Sequence, residues 1–415
     1  MERPHHIVTN IITAKPKRRA TSSEGAKVML SDGREYIDLM NGKGSVTLGH
    51  HHPAVNSAIS QHLLNRVSSA TCWSDYHEDL AGRIIGDVGM KDSSLALFSS
   101  GTEACRAAVL AARHFSGRQL IASAGYHGWG EYWGSSGCVF EANTSGVLDF
   151  YFIPELLEEI LARYRGQVAL VIVSPDYIHL QTDTLRKLLL ITKREGILFC
   201  CDDVKQGYRT KRGSNFPVIP GYYPDLFTFA KGLANGHRLS CLVGRADVLE
   251  LAREFTYTAY FDTIPIVAAL ATLDYMDRHN GYQKLVQTGN ALAEEMRKVI
   301  KHRDLPILVC GDGPFLQFVC ASEALEDVLH DGLAMAGLLL YEGDSQAISL
   351  ATADVFDELI ERFECGVAIT SSNLRIDRQI SITRKRRFQA AFRMIDGASD
   401  FVPAEDAIRW IQEGI

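Results

Sequence analysis

The chain has 415 residues, 46% hydrophobic and 22% charged, which is enough for a large core and sets an expectation of two or three domains. Its formal charge of −7 argues against a nucleic-acid partner, and no apolar run approaches the roughly 20 residues of a bilayer span, so no membrane partner is expected either. Nine scattered cysteines show no C-x-x-C or Cys/His ligand spacing, and Met1–Ala20 has no apolar signal-peptide core. A reduced, cytoplasmic protein without a metal site is the expectation.

In chain order, Lys27–Leu39 reads as a hairpin turning at Asp32-Gly33. Short apolar runs bounded by polar residues or glycine then predict buried strands at Leu95–Ser100, Gln119–Ala124, Val168–Ser174, Ile197–Asp202 and Asp225–Ala230. Helical periodicity between them covers Glu103–Phe115, Pro154–Arg165 and Asp183–Glu195. Such alternation predicts an α/β layer with a mostly parallel sheet, whose ligands sit beyond the carboxyl ends of the strands. After Pro265 come two helices, Ile266–Arg278 and Tyr282–His302, and then Pro306–Ala324, Gly332–Ala353 and a helix at Asp354–Glu364, which together read as a smaller α+β region.

Four features fall at the predicted strand ends. Ser99-Ser100-Gly101-Thr102-Glu103 opens a helix whose first N–H groups suit a phosphate, although an ordinary Ser or Thr cap reads the same way. Tyr126-His127 places an aromatic where it can stack on a planar ring or simply cover the sheet. Asp202, closing an apolar strand, needs a cationic partner such as a protonated pyridine nitrogen; a helix cap or structural ion pair is the alternative. Lys231 closes another strand, where desolvation frees an amine for Schiff-base chemistry unless the side chain reaches back to water. In this order the four describe one pyridoxal-phosphate (PLP) pocket.

Ser100-Gly101-Thr102-Glu103-Ala104, Tyr126-His127-Gly128, Asp202-Asp203-Val204…Gly207-Tyr208-Arg209 and Lys231-Gly232-Leu233-Ala234-Asn235-Gly236 resemble the motifs of the class III aminotransferases. Together with Tyr36-Ile37-Asp38 and Leu48-Gly49-His50-His51-His52-Pro53, they are most similar to the glutamate-1-semialdehyde 2,1-aminomutase type. The resemblance implies a fold-type I PLP-dependent transferase, with a large mixed-sheet domain and a smaller α+β domain from both chain ends. The implied division is 1–60 joining the small domain, 61–280 the large PLP-binding domain, and 281–415 the C-terminal part with an atypical extension after about 368. It further implies a homodimer with shared active sites.

By motif match, Lys231 carries the cofactor as a Schiff base and moves the proton, and Asp202 pairs with the ring nitrogen. Val204 and Tyr126 take opposite ring faces, Ser100, Gly101 and Thr102 hold the phosphate, and His127 completes the shell. His179 stands where an asparagine is expected at the ring's phenolic oxygen, and Thr258 matches the residue that reaches the partner's cofactor phosphate. The family's substrate tryptophan is replaced by Lys43 and a proline after the lysine block by Arg238, so both are candidate substrate contacts. The expected activity is transfer of an amino group from a small-molecule donor to a carbonyl acceptor in a specialised biosynthetic pathway; an aminomutase, an epimerase or racemase, and a non-catalytic homologue are the alternatives. His50–His52 cannot converge on one ion and read as a turn, and Arg384–Arg387 reads as a solvated helix face.

Overall fold

A computed structural model describes residues 14–15, 19–65, 71–131, 142–175, 177–178, 180, 182–217, 219–305, 307–311, 313–320, 323–341 and 344–373. They form two compact units, one within Pro53–Gln283 and the other within Met1–His52 and Lys284–Ser381. His179, the Arg384–Arg387 run and all but the first few residues of the extension lie outside the described residues. None of the described helices is long and apolar enough to cross a membrane.

The first unit is built on a seven-stranded sheet in the order Ser93–Phe98, Ser240–Arg245, Leu226–Phe229, Leu198–Asp202, Val168–Val173, Leu120–Ala124, Val147–Asp149. Ser240–Arg245 runs antiparallel to both neighbours, and the other pairings are parallel. Every residue of Val168–Val173 is buried, as expected for an apolar run in a strand covered on both faces. The five predicted strands and the helices Gly101–Ser116, Pro154–Arg163 and Thr182–Arg194 fall where the periodicity placed them, within a residue or two. Two strands were not foreseen. Val147–Asp149 is only three residues long, and Ser240–Arg245 carries serine, glycine and arginine that blur its apolar pattern. The helix after the sheet is Ile264–Arg278, with Pro265 inside its first turn, where a missing N–H costs nothing.

The helix Gly101–Ser116 packs its alanine-rich face on the sheet, with Ala104, Ala108, Ala111 and Ala112 fully buried. Small side chains let the helix axis approach the strands, which draws its N-terminus down to the carboxyl edge where Asp202 and Lys231 lie.

Asp149 ends the edge strand, in register with Ser123, and burial pushes its carboxyl up to about 7. The folded value lies above the unfolded one near 3.9, so this group's contribution to stability falls as pH rises from about 4 to about 7. Asp149→Asn should remove that slope. The expected thermal midpoint is about 3 °C or more above wild type at pH 8 and little changed at pH 4, measured by circular dichroism.

The second unit joins both ends of the chain in one sheet, ordered Ala14–Lys15, Leu338–Tyr341, Glu35–Asp38, Lys27–Leu30, Ala20–Glu24. Lys27–Leu30 and Glu35–Asp38 form the predicted hairpin, with Gly33 at φ +79° in the turn. A three-stranded antiparallel sheet, Ile307–Cys310, Phe315–Cys320 and Gln346–Ala347, accompanies the helices Glu323–Met335 and Phe356–Asn373. The helix Glu323–Met335 overlaps the end of the first stretch singled out from sequence and the start of the second.

Asn41, Gly42, Lys43 and Gly44 all have positive φ, one left-handed turn that costs non-glycine residues of order 1 kcal/mol each. Asp38 holds this turn. Its carboxylate accepts from the Met40 and Asn41 N–H groups and from His50 Nε2, each at 2.8 Å. Asn41 in turn donates its side-chain amide to the carbonyls of Asp38 and Ala347. His50 therefore braces a turn, as the run of three histidines suggested.

Candidate active site

Asp202 is the best-defined group at the carboxyl edge of the large sheet. It is 2% exposed, and its carboxylate accepts from His127 Nδ1 at 2.7 Å, the Thr228 hydroxyl at 2.8 Å and the Val204 N–H at 3.0 Å. Complete burial pushes the carboxyl upward, yet these hydrogen bonds outweigh burial and hold it below the ordinary carboxylate range. It is a buried anion, and its Oδ2 has lone-pair capacity beyond the single His127 bond.

The neighbouring Asp203 is different. Burial pushes it up to about 6 against hydrogen bonds from Ser214, the Asn215 N–H and Tyr177. Asp203's oxygens are taken up by these donors, whereas Asp202 is the carboxylate of the pair held below the ordinary range.

Ser100 caps the helix Gly101–Ser116. Its hydroxyl accepts from the Glu103 N–H at 3.3 Å, and Glu103 Oε2 accepts from the Ser99 and Ser100 N–H groups at 2.9 Å. The bland reading and the functional one therefore share this segment. Ser100's hydroxyl is engaged in the cap, while the N–H groups of Gly101 and Thr102 belong to the first turn, which has no intrahelical acceptor.

Gly101 is pressed against Val204: a Cβ there would lie 2.7 Å from Val204 Cγ1. Gly128, at φ +92°, sits against Thr102 in the same way. Close packing thus joins the phosphate-type turn, the Tyr126-His127-Gly128 turn and the strand end carrying Asp202. Gly101→Ala should destabilise the apoprotein by about 1–3 kcal/mol through overpacking and weaken cofactor binding in parallel. Chemical denaturation and a cofactor titration check the two effects.

Tyr126 is 68% exposed on its turn, with its ring available to cover a ligand. Lys231 directly follows Ala230 at the end of Leu226–Phe229, the strand beside Asp202's, and opens a 3-10 turn through Ala234. Its φ of +45° is rare for a lysine and marks a position fixed by its surroundings. Arg238, exposed, and Thr258 line one cavity of about 300 Å³ with Ser99, Tyr257, Tyr260 and Asp262. Lys43 belongs to the other unit, where its Nζ lies 5.5 Å from the centroid of the Tyr341 ring.

Two residues here were not foreseen. Thr228 and Cys105 complete the surroundings of Asp202, with the Cys105 sulfur 3.6 Å from the Thr228 hydroxyl. Ligand-type atoms of Cys105, His127 and Asp202 come within 4.8 Å of one another, but the short His127–Asp202 hydrogen bond already accounts for that meeting. A buried carboxylate beside a capped helix start, an exposed tyrosine and a strand-end lysine fits a cofactor with an anionic phosphate and a cationic ring.

The class-III aminotransferase family model matches residues 12–133 and 150–363. The chain is 31% identical over 353 residues to the 2'-deamino-2'-hydroxyneamine transaminase of Streptomyces kanamyceticus, covering 84% of this chain and 90% of that protein. It is 27% identical over 346 residues to the glutamate-1-semialdehyde 2,1-aminomutase of Tropheryma whipplei strain Twist, covering 71% and 74%. A solved structure described as a transaminase with PLP bound superposes with a TM-score of 0.78 at 21% identity, covering 89% of this chain and 95% of that one.

The chain belongs to the class-III aminotransferases, and its fold is that of the fold-type I PLP transaminases. It is a PLP-dependent aminotransferase, acting between an amino donor and a carbonyl acceptor.

Proposed function

We propose that the reaction is carried by Lys231 and Asp202 and that the acceptor is a carbonyl group on a hydroxylated, amine-bearing sugar or cyclitol. Bound PLP supplies an aldehyde that takes up an amino group and a ring that withdraws electrons from the substrate carbon. Lys231 would be the amine that holds the cofactor, and its freed amino group would move the proton at the substrate carbon. Asp202 pairs with the ring nitrogen and keeps it protonated, and His127 fixes one of its oxygens. The Gly101 and Thr102 N–H groups hold the phosphate, beside the Ser100 cap. Tyr126 and Val204 cover opposite ring faces.

His179 takes the phenolic oxygen, and Thr258 serves a second copy of the chain in a homodimer with shared sites. Lys43 and Arg238 are the candidate substrate grips. Residues 61–280 act as the cofactor domain between the two chain ends. The buried thiols of Cys105, Cys200, Cys201 and Cys241 are compatible with a reducing cytoplasmic setting.

The observation that carries the catalytic reading is the ionised, fully buried Asp202 in direct register with the strand that leads into Lys231. The amino-sugar reading is supported by the extent of the likeness to the neamine-type transaminase, which exceeds that to the aminomutase in both identity and coverage. The test is the amino-donating half-reaction run across amino acids, diamines and amino sugars, read as cofactor converted to its amine form. Amino sugars and aminocyclitols are expected to convert the cofactor fastest after the physiological donor. Conversion by simple amino acids and diamines alone would overturn the substrate reading.

A further inference from the structure

Asp202 is held by more than the helix and loop that its motif displays. Thr228 is fully buried and stands directly opposite Asp202 in the parallel pairing of Leu226–Phe229 with Leu198–Asp202, so their side chains share one face of the sheet. The Thr228 hydroxyl has one proton and spends it on Asp202 Oδ1, the only acceptor-only atom of its two neighbours. Behind it, on the helix Gly101–Ser116, the Cys105 sulfur lies 3.6 Å from the same hydroxyl oxygen. Burial pushes the Cys105 thiol well up, so it keeps its proton. With the threonine proton already donated to Asp202, the threonine oxygen is left as an acceptor for the S–H. The bonds therefore run one way, from the helix through the threonine to the carboxylate.

We propose that Thr228 is a positioning residue for Asp202, its hydroxyl oriented by the Cys105 thiol, and that the pair fixes the carboxylate plane so that Oδ2 faces the cofactor's ring nitrogen. The inference rests on the reading that Asp202 pairs with that nitrogen. Oδ1 is saturated by Thr228 and the Val204 N–H, whereas Oδ2 accepts from His127 and has a second lone-pair direction. The donors thus select which oxygen serves the ligand. Rotation of the carboxylate would cost a charge-assisted hydrogen bond in a dry site.

The test uses the full chain with Thr228→Val, Thr228→Ser, Cys105→Ala and Asp202→Asn. Three quantities are read: the PLP dissociation constant, the pH midpoint of the bound cofactor's visible absorbance, and, in the apoprotein, the midpoint of the Asp202 carboxyl carbon by selective ¹³C labelling. Thr228→Val is expected to weaken PLP binding about tenfold, the loss of roughly one hydrogen bond to a charged group. It should also raise the Asp202 midpoint and lower that of the cofactor. Thr228→Ser should restore all three to within about twofold, and Cys105→Ala should weaken binding about two- to threefold.

Wild-type values in Thr228→Val would overturn the proposal, as would a serine variant as impaired as the valine, since packing rather than the hydroxyl would then be responsible. If Asp202→Asn itself leaves PLP affinity and absorbance unchanged, the assignment of Asp202 to the ring nitrogen fails. The apoprotein titration still reports on the Thr228–Asp202 bond in that case, so the two failures are separable. Should the valine variant not fold, the serine and alanine variants carry the same readouts.

Discussion

Lys231→Ala is expected to lower transamination by at least about 10³-fold, within the range that a positioned acid/base contributes, while PLP still binds without covalent attachment. Borohydride should fix the cofactor to a Lys231-containing peptide in the wild type and to no peptide in the variant. The expectation follows from the lysine's place. It ends a fully buried strand, its backbone is held at positive φ, and the adjacent strand carries the ionised Asp202. A nearby lysine cannot substitute, because the attachment point must lie at the same sheet edge as the carboxylate. A covalent, reducible adduct in Lys231→Ala would show that another amine does the work. An added primary amine such as methylamine should restore part of the rate if the lost function is proton transfer.

The second large effect is that of Asp202→Asn. A neutral amide keeps the shape but not the charge, so under the proposed pairing the ring nitrogen loses the anion that stabilises its proton. The expected fall in kcat is about 10²–10³-fold, an electrostatic contribution of about 3–4 kcal/mol in a site closed to water, with KM for the amino donor little changed. Stability should respond with a defined sign. The folded carboxyl lies below the ordinary range, so its contribution is fully present above the unfolded pKa near 3.9 and is lost as pH falls through the still lower folded value. The asparagine variant should therefore show a shallower loss of stability below about pH 4 than the wild type. Asp203 and Asp149, both raised, act in the opposite direction between about pH 4 and 7. Thermal melts from pH 3 to 8 separate the contributions, because the Asp202 effect is confined to the acid end. An unchanged kcat would remove Asp202 from the mechanism.

These effects fall on residues that could be found without coordinates. Lys231 and Asp202 were conspicuous because each is a charge at the end of an apolar run, where burial is costly unless function requires it. Thr228 gave no such signal. A threonine inside an apolar strand is ordinary, and its meaning depends on a parallel pairing 26 residues away in sequence. Cys105 was hidden for the same reason, as one small buried side chain on an alanine-rich helix face. The serine of the phosphate-type turn shows the converse. Its motif was legible both as a cap and as a phosphate turn, and the side-chain geometry shows the capping box with Glu103 formed.

Local chemistry in the sequence determined the strand–helix alternation, the strand-end placement of the polar residues and the cofactor they suit, because burial and periodicity are properties of short segments. The tertiary structure alone decided the antiparallel entry of Ser240–Arg245, the left-handed turn braced by Asp38 and His50, and the donors that select an oxygen of Asp202. Each of these depends on register between segments distant in the chain, and on bonds whose strength comes from the shared burial that only the folded molecule creates.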